Sequence, residues 1–210
     1  MLDRILGHLT VARDYAQTSE ALGPIEGFLH ALEGYALLLI AEHGPGAGAV
    51  VEIGSYLGRS TCFLALGAKR GARAPVVAVD HFGGSPEHQP GASHESAVLK
   101  AEGTTYDQFL RNLARVGVGE HVRPIRAASV DAARDWREPI RLLFIDGDHS
   151  YDASRADFAA WSPQVEGNGL VAFHDVGVWP GVTRFYEELI AEGRWRERAK
   201  ARSLRVVGRA

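Results

Sequence analysis

The sequence predicts an α/β domain: a doubly wound, mostly parallel sheet of seven strands, with helices on both faces and an antiparallel hairpin at the C-terminus. Two observations carry this. Short, β-branched apolar runs of four or five residues alternate with longer amphipathic segments after residue 48, which is the pattern of a parallel sheet with helical crossovers. The last two runs are too close together to hold a crossover helix and so pair as a hairpin.

Taken in order, residues 1–45 read as an N-terminal helical cap. Pro24 can occupy a helix's first turn. Phe28, Leu29, Leu32, Tyr35, Ala36, Leu39 and Ile40 then recur at helical spacing until Gly44-Pro45-Gly46 breaks the pattern. Strands are expected at 49–53, 75–79, 122–125, 142–145 and 170–173, each buried on both faces. Helices are expected at 60–70, 106–116, 130–136, 151–161 and 182–192, and the closing hairpin at 195–199 and 204–207. Residues 81–104, rich in glycine, proline and histidine, separate a strand from a helix and read as a mobile lid over a ligand crevice. Together these make one domain over 1–210.

Composition narrows the function. With 46% hydrophobic and 23% charged residues, a chain of 210 residues can bury a full core. A single cysteine, Cys62, rules out an intrachain disulfide and fits a reducing, cytoplasmic setting. No signal-peptide pattern or bilayer-length apolar run occurs. A net charge of −3 gives no reason to expect a nucleic acid or a membrane as partner. Seven basic residues after Gly193 face one acid, Glu197, and read as the wet face of edge strands rather than a phosphate-binding tail.

In an open parallel sheet, ligands bind beyond the carboxyl ends of the strands. Those ends carry Glu52-Ile-Gly54-Ser-Tyr-Leu-Gly58-Arg-Ser60, then Asp80-His81, Ala127-Ala128-Ser129, Asp146-Gly-Asp148-His149 and His174-Asp175. A dinucleotide loop would read G-x-G-x-x-G, but Tyr56 holds the middle glycine's place and blocks close approach of a pyrophosphate, which argues against an NAD-dependent oxidoreductase. Glu52 repels phosphate and suits an ammonium group. Asp80, 22 residues beyond Gly58, can hold both hydroxyls of a ribose. A ribose joined to an amino-acid head describes S-adenosylmethionine (SAM).

Three motifs, Val51-Glu-Ile-Gly-Ser-Tyr-Leu-Gly-Arg-Ser-Thr61 with Val79-Asp80, Leu143-Phe-Ile-Asp-Gly-Asp-His-Ser-Tyr151, and Phe173-His-Asp-Val176, make the sequence similar to class I SAM-dependent O-methyltransferases of the methyltransferase 24 type. These are relatives of the catechol, caffeoyl-CoA and macrolide-sugar enzymes. The resemblance spans about residues 25–207 and implies a Rossmann-like fold. It implies that Gly54, Ser55, Tyr56 and Ser60 line the methionine part of SAM beside Gly58 and Asp146, that Asp80 holds the ribose, and that Ala128-Ser129 edges the adenine. Relatives usually carry an acid at the position of Ala128, so here the adenine contacts fall to backbone or to other side chains. A homodimer is common among such relatives.

The same resemblance implies metal ligands at Asp146, His174 and Asp175. Mg²⁺ or Mn²⁺ is preferred for the two carboxylates, although the imidazole of His174 leans toward transition metals or a supporting role. A bound cation would lower the pKa of a poorly acidic hydroxyl. His149 is the expected general base, with Asp148 orienting it or binding acceptor hydroxyls; the alternative is that both cap the helix starting near Ser150. Glu33 and Gly34 either close over SAM or form plain helix surface. Trp179-Pro180-Gly181 either shapes the acceptor pocket or turns the chain. His81, His88 and His94 read as solvated loop histidines, and Trp136, Phe158, Trp161, Phe185 and Tyr186 as core or subunit contacts. The expected activity is methyl transfer to a hydroxyl of a small molecule, a sugar, glycoside or other natural product. The alternative is a SAM-binding regulatory or partner protein without transferase activity.

Overall fold

The computed structural model describes residues 2–210, with side chains from Thr10 onward. Two helices, α1 (Leu2–Leu22) and α2 (Ala31–His43), precede the sheet. The helix expected to begin at Pro24 begins instead at Ala31. His30 accepts a hydrogen bond from the Leu32 amide, and the Glu33 carboxylate accepts one from the His30 amide, so this reciprocal cap fixes the start. Pro24, Phe28 and Leu29 fall in the connection between the two helices.

The sheet follows as β1 (Ala49–Ile53), β2 (Val76–Asp80), β3 (Val122–Arg126), β4 (Ile140–Ile145), β5 (Val165–Phe173), β6 (Trp195–Ala201) and β7 (Leu204–Arg209). Its order is β3-β2-β1-β4-β5-β7-β6, parallel from β3 to β5 and antiparallel through β7 and β6. The connecting helices are α3 (Arg59–Arg70), α4 (Ala97–Glu102), α5 (Tyr106–Val116), α6 (Ser129–Arg134), α7 (Tyr151–Trp161) and α8 (Pro180–Ala191).

Successive strand residues point to opposite faces, and each face builds its own core. Val50, Ala78, Leu142, Phe144, Ala172 and Val206 pack with Leu37, Leu38, Phe63, Leu64, Phe109 and Leu113. Val51, Ile53, Val79, Leu143, Ile145, Val171 and Phe173 pack on the other side with Trp136, Trp161, Phe185, Tyr186 and Leu189. The aromatic residues expected at helical spacing are thus core. One strand departs from the expected two-sided burial. β3 is an edge strand whose only buried residue is Val122, and Arg126 lies over the Tyr106 ring.

Strand order reverses direction at the β1/β4 boundary, since β2 and β3 extend to one side of β1 while β4 and β5 extend to the other. An open α/β sheet places its ligand crevice there, beyond the strand tips. No helix among the described residues is long and apolar enough to cross a membrane.

Candidate active site

A cavity of about 910 Å³ opens at the carboxyl ends of the strands. That volume is at the upper end of what encloses a nucleotide-sized ligand. Its first wall is the loop after β1. The backbone is left-handed at Gly54, Tyr56 and Gly58 (φ 83°, 48° and 87°), which folds the loop into a tight turn before α3. A side chain at Gly54 would strike the Asp146 carbonyl, so only glycine lets β1 and β4 close up at this point.

Asp80 anchors that turn. Its Oδ2 accepts the amides of Ser55 (2.8 Å) and Tyr56 (2.9 Å), and its Oδ1 accepts the Phe82 amide (2.6 Å). A carboxylate has about four acceptor sites, so one remains for a ligand hydroxyl. Gly54, Ser55, Tyr56, Ser60, Asp80, Ala128, Ser129, Asp146 and Asp148 all line the cavity with His149, His174 and Asp175.

Two expected residues stand back from it. Gly58 packs against Phe109, and Glu52 is fully buried behind the loop. The Glu52 Oε2 accepts the hydroxyls of Ser55 and Thr61, while Oε1 has no partner. Burial pushes its pKa up to about 7. Its observed task is to hold the loop from within the core.

The strand tips of β4 and β5 bring together the acid and imidazole groups. His174 is 3% exposed, with Nδ1 2.9 Å from Asp146 Oδ1 and Nε2 3.3 Å from Glu33 Oε2. Burial works to lower its pKa, but Asp146, Asp175 and Glu33 outweigh that and raise it to about 12. Both ring nitrogens of His174 face carboxylates, and it is not among the residues whose donor atoms converge on one point, so it departs from the expected ligand set. Asp146, His149 and Asp175 instead each point one donor atom to a common region, all within 4.8 Å of one another. Two carboxylate oxygens and one imidazole nitrogen fit a divalent cation such as Mn²⁺, with Mg²⁺ also served by the oxygens.

Glu33 was legible only as a possible lid or helix surface. It is not plain surface: it lines the cavity and, besides His174 and His30, accepts the amide (2.8 Å) and hydroxyl (2.7 Å) of Ser203, tying α2 to the tips of β5 and of the β6–β7 hairpin. Those donors outweigh burial and hold its pKa down near 2. Gly34 packs face-on to Phe63, where a Cβ would overlap the ring.

His149 sits at the mouth. Its Nδ1 is 2.6 Å from Glu87 Oε1 and its Nε2 3.2 Å from Asp175 Oδ2, and its ring stacks on Trp179 at 4.6 Å. Burial lowers its pKa, yet Asp175, Asp146 and Glu87 together leave it above the usual imidazole value. Asp175 itself is held well below the ordinary carboxylate range, the two histidines overriding its burial. It adopts a left-handed φ of 62°, an uncommon state that aims its carboxylate at both rings. Neither Asp148 nor His149 caps α7: Ser150 does, accepting the Ala153 amide, while Asp148 Oδ1 accepts the amide of Ser150 itself.

The 81–104 segment carries a 3-10 turn (Pro86–His88) and α4, and it is laid against the site. Tyr56 donates to Ser96 Oγ (2.8 Å) and stacks on His88, which in turn stacks on Phe28. His88 is therefore buried, contrary to the solvated reading, whereas His81 and His94 are exposed. Trp179 shapes the pocket and does not merely turn the chain.

Sequence reasoning missed Glu87 and Asp157. Glu87 meets His149 across 62 residues of chain. Asp157 lines the cavity from α7 on the same face as Ala153 and Ala156, and that i, i+3, i+4 spacing was its one visible signal.

Residues 51–176 match the family model described as "Methyltransferase domain". A curated relative, the uncharacterized protein y4gI of Sinorhizobium fredii, is 32% identical over 147 residues. The match covers 68% of this chain but only 15% of that much longer protein. Among solved structures, an O-methyltransferase from Bacillus cereus in complex with SAH has a TM-score of 0.61 at 18% identity, covering 95% of this chain and 91% of that one. TomG, an O-methyltransferase from Streptomyces achromogenes in complex with SAM, has a TM-score of 0.62 at 16% identity, covering 95% and 89%. At such identities the likeness is one of fold.

Proposed function

This chain belongs to the methyltransferase-domain family, and from that premise we propose that it moves a methyl group from SAM to a hydroxyl of a small molecule such as a sugar, a glycoside or another natural product. The observation that carries this reading is the placement of Asp80 with its glycine turn and of the Asp146–His149–Asp175 cluster on one cavity.

SAM supplies an electrophilic methyl on a sulfonium, which leaves by in-line displacement. What this chain's residues must do is position the two reactants and take a proton. Gly54, Ser55, Tyr56, Ser60 and Asp146 would line the amino-acid end. Glu52 serves that end by stiffening the loop from behind. Asp80 would accept from the ribose with the lone pair its three backbone donors leave unused. Ser129 would edge the base.

At the acceptor end, His149 in its neutral form takes the hydroxyl proton. Asp175 steadies the ring, and Trp179 fixes its plane. Asp148 is placed to accept a hydrogen bond from an acceptor hydroxyl. The Asp146 and Asp175 carboxylates would hold a divalent cation, Mg²⁺ or Mn²⁺, which when bound would make an adjoining hydroxyl more acidic, and the His149 lone pair would stay free for the proton. His174, charged and spanning Asp146 to Glu33, fixes the carboxylates behind the site.

The test is a panel of hydroxylated acceptors incubated with labelled SAM, alongside calorimetric titration with SAM and with NAD. Methyl incorporation with SAM binding is the expected result. Tight NAD binding without SAM binding would overturn the reading. SAM binding with no transfer to any acceptor would leave a regulatory binder as the better account.

A further inference from the structure

Ile53, Val79, Val130, Ala153 and Ala156, small or apolar side chains, line the same cavity and offer a slot for a flat ring. One charged side chain reaches that slot from α7, Asp157, which is 7% exposed. Of the neighbouring cavity acids, Asp80 already accepts three amides and Asp146 faces the His174 ring, while Asp148, which accepts the Ser150 amide, is assigned above to the acceptor.

The orientation of Asp157 follows from a directed chain of hydrogen bonds. The indole of Trp161 is completely buried and can only donate; its Nε1 lies 2.9 Å from Ser129 Oγ. The Ser129 hydroxyl, having accepted, sends its own hydrogen to the Asp157 carboxylate. A second side is kept clear by Gly147, where even a methyl group would come within 3.3 Å of Asp157 Oδ2. The carboxylate is thus fixed by one donor and left with acceptor capacity at the edge of an apolar slot. Burial raises its pKa to about 6, so near neutrality it is ionised and can only accept.

We infer that Asp157 is a specificity-determining residue that accepts a hydrogen bond from the exocyclic amino group of the nucleobase seated in this slot, and so selects a 6-amino purine over a 6-oxo purine. The inference rests on the SAM reading given above. It assigns to α7 a contact that Ala128, with no polar side-chain atom, cannot make.

The test is calorimetric binding of S-adenosylhomocysteine and of its 6-oxo counterpart, S-inosylhomocysteine, to the whole chain and to Asp157→Asn and Asp157→Ser variants whose thermal unfolding is checked. An ionised carboxylate facing a carbonyl oxygen is a mismatch, so the wild type should prefer the adenosyl compound by about 10-fold or more. An amide in place of the carboxylate keeps the shape of the slot and can donate to the oxo group, so Asp157→Asn should reduce the preference to about threefold or less. Asp157→Ser should weaken the adenosyl compound more than the inosyl one. A preference unchanged in both folded variants overturns the role of Asp157 while leaving the SAM reading intact. Failure of the wild type to bind either compound overturns both.

Discussion

His149 Nδ1 lies 2.6 Å from Oε1 of Glu87, a contact that joins the tip of β4 to the segment 81–104. Both side chains are largely buried, at 15% and 12% exposure. The proposed base therefore carries an acid from the covering segment on one nitrogen and Asp175 on the other. Its proton affinity therefore depends on Glu87 as well as on Asp175.

The sign of the pH effect follows. His149 takes a proton only when neutral, and its folded pKa is raised above 6.5, so turnover should climb as pH rises through that higher value. Glu87→Gln removes one negative neighbour and should move the acidic limb of the kcat/KM profile down by about 1 pH unit. His149→Ala should lower kcat by ~10²–10⁴ with little change in SAM affinity. A limb that stays in place in Glu87→Gln, or an unchanged profile in His149→Ala, counts against the base.

The two carboxylates of Asp146 and Asp175, converging beside His149, predict that exhaustive chelation abolishes turnover and that added Mg²⁺ or Mn²⁺ restores it. Asp175→Ala should abolish turnover as well. Full activity of chelated protein, measured with metal-free buffers, would contradict a cation at this cluster.

The alternation of strands and helices was readable because parallel strands buried on both faces are unbroken apolar runs, and Tyr106–Val116 and Tyr151–Trp161 are bounded where their caps and apolar spacing put them. The start of α2 was not, because it depends on His30, an unusual cap. Strand tips gave away Asp80, Asp146, His149 and Asp175. Glu87 was not legible, and the tie from Glu33 to His174 was not either, because both contacts arise from packing between distant segments, which no local spacing encodes. Glu52 looked like a ligand because its position is right, but its side chain turns to the inner side of the loop.

His174 predicts a large structural penalty. Replacing it with Ala leaves Glu33 and Asp146 without their shared cation, and breaking such a buried pair costs about 3–5 kcal/mol. The folded pKa, about 12, lies above the unfolded value of 6.5, so this stabilisation is complete below pH 6.5 and is lost as pH rises toward 12. Urea unfolding at pH 6 and pH 9 should show the wild type losing stability relative to His174→Ala at the higher pH. Parallel loss in both proteins would mean that the ring is not held as a cation.

Glu52 predicts a pH effect with the opposite chemistry but the same direction. Its folded pKa of about 7 exceeds the ordinary 4.5 because burial penalises the charged form and outweighs the hydroxyls of Ser60, Thr61 and Ser55, which work to lower it. The folded state thus holds this proton more tightly than the unfolded chain does. Its contribution is complete below pH 4.5 and is lost as pH rises through 7, an amount on the order of 3 kcal/mol for such a shift. Glu52→Gln keeps the shape and an acceptor for Ser55 or Thr61 but cannot ionise, so it should lack this loss. Denaturation of both proteins at pH 5 and pH 8 should show the variant gaining on the wild type at pH 8. Since Glu52 does not line the cavity, SAM affinity at pH 6, where the wild-type acid is mostly neutral, should change by no more than about threefold. A variant that unfolds in step with the wild type at both pH values would show that the carboxylate is ionised in the core, and that the turn at Gly54–Gly58 is held by a charge.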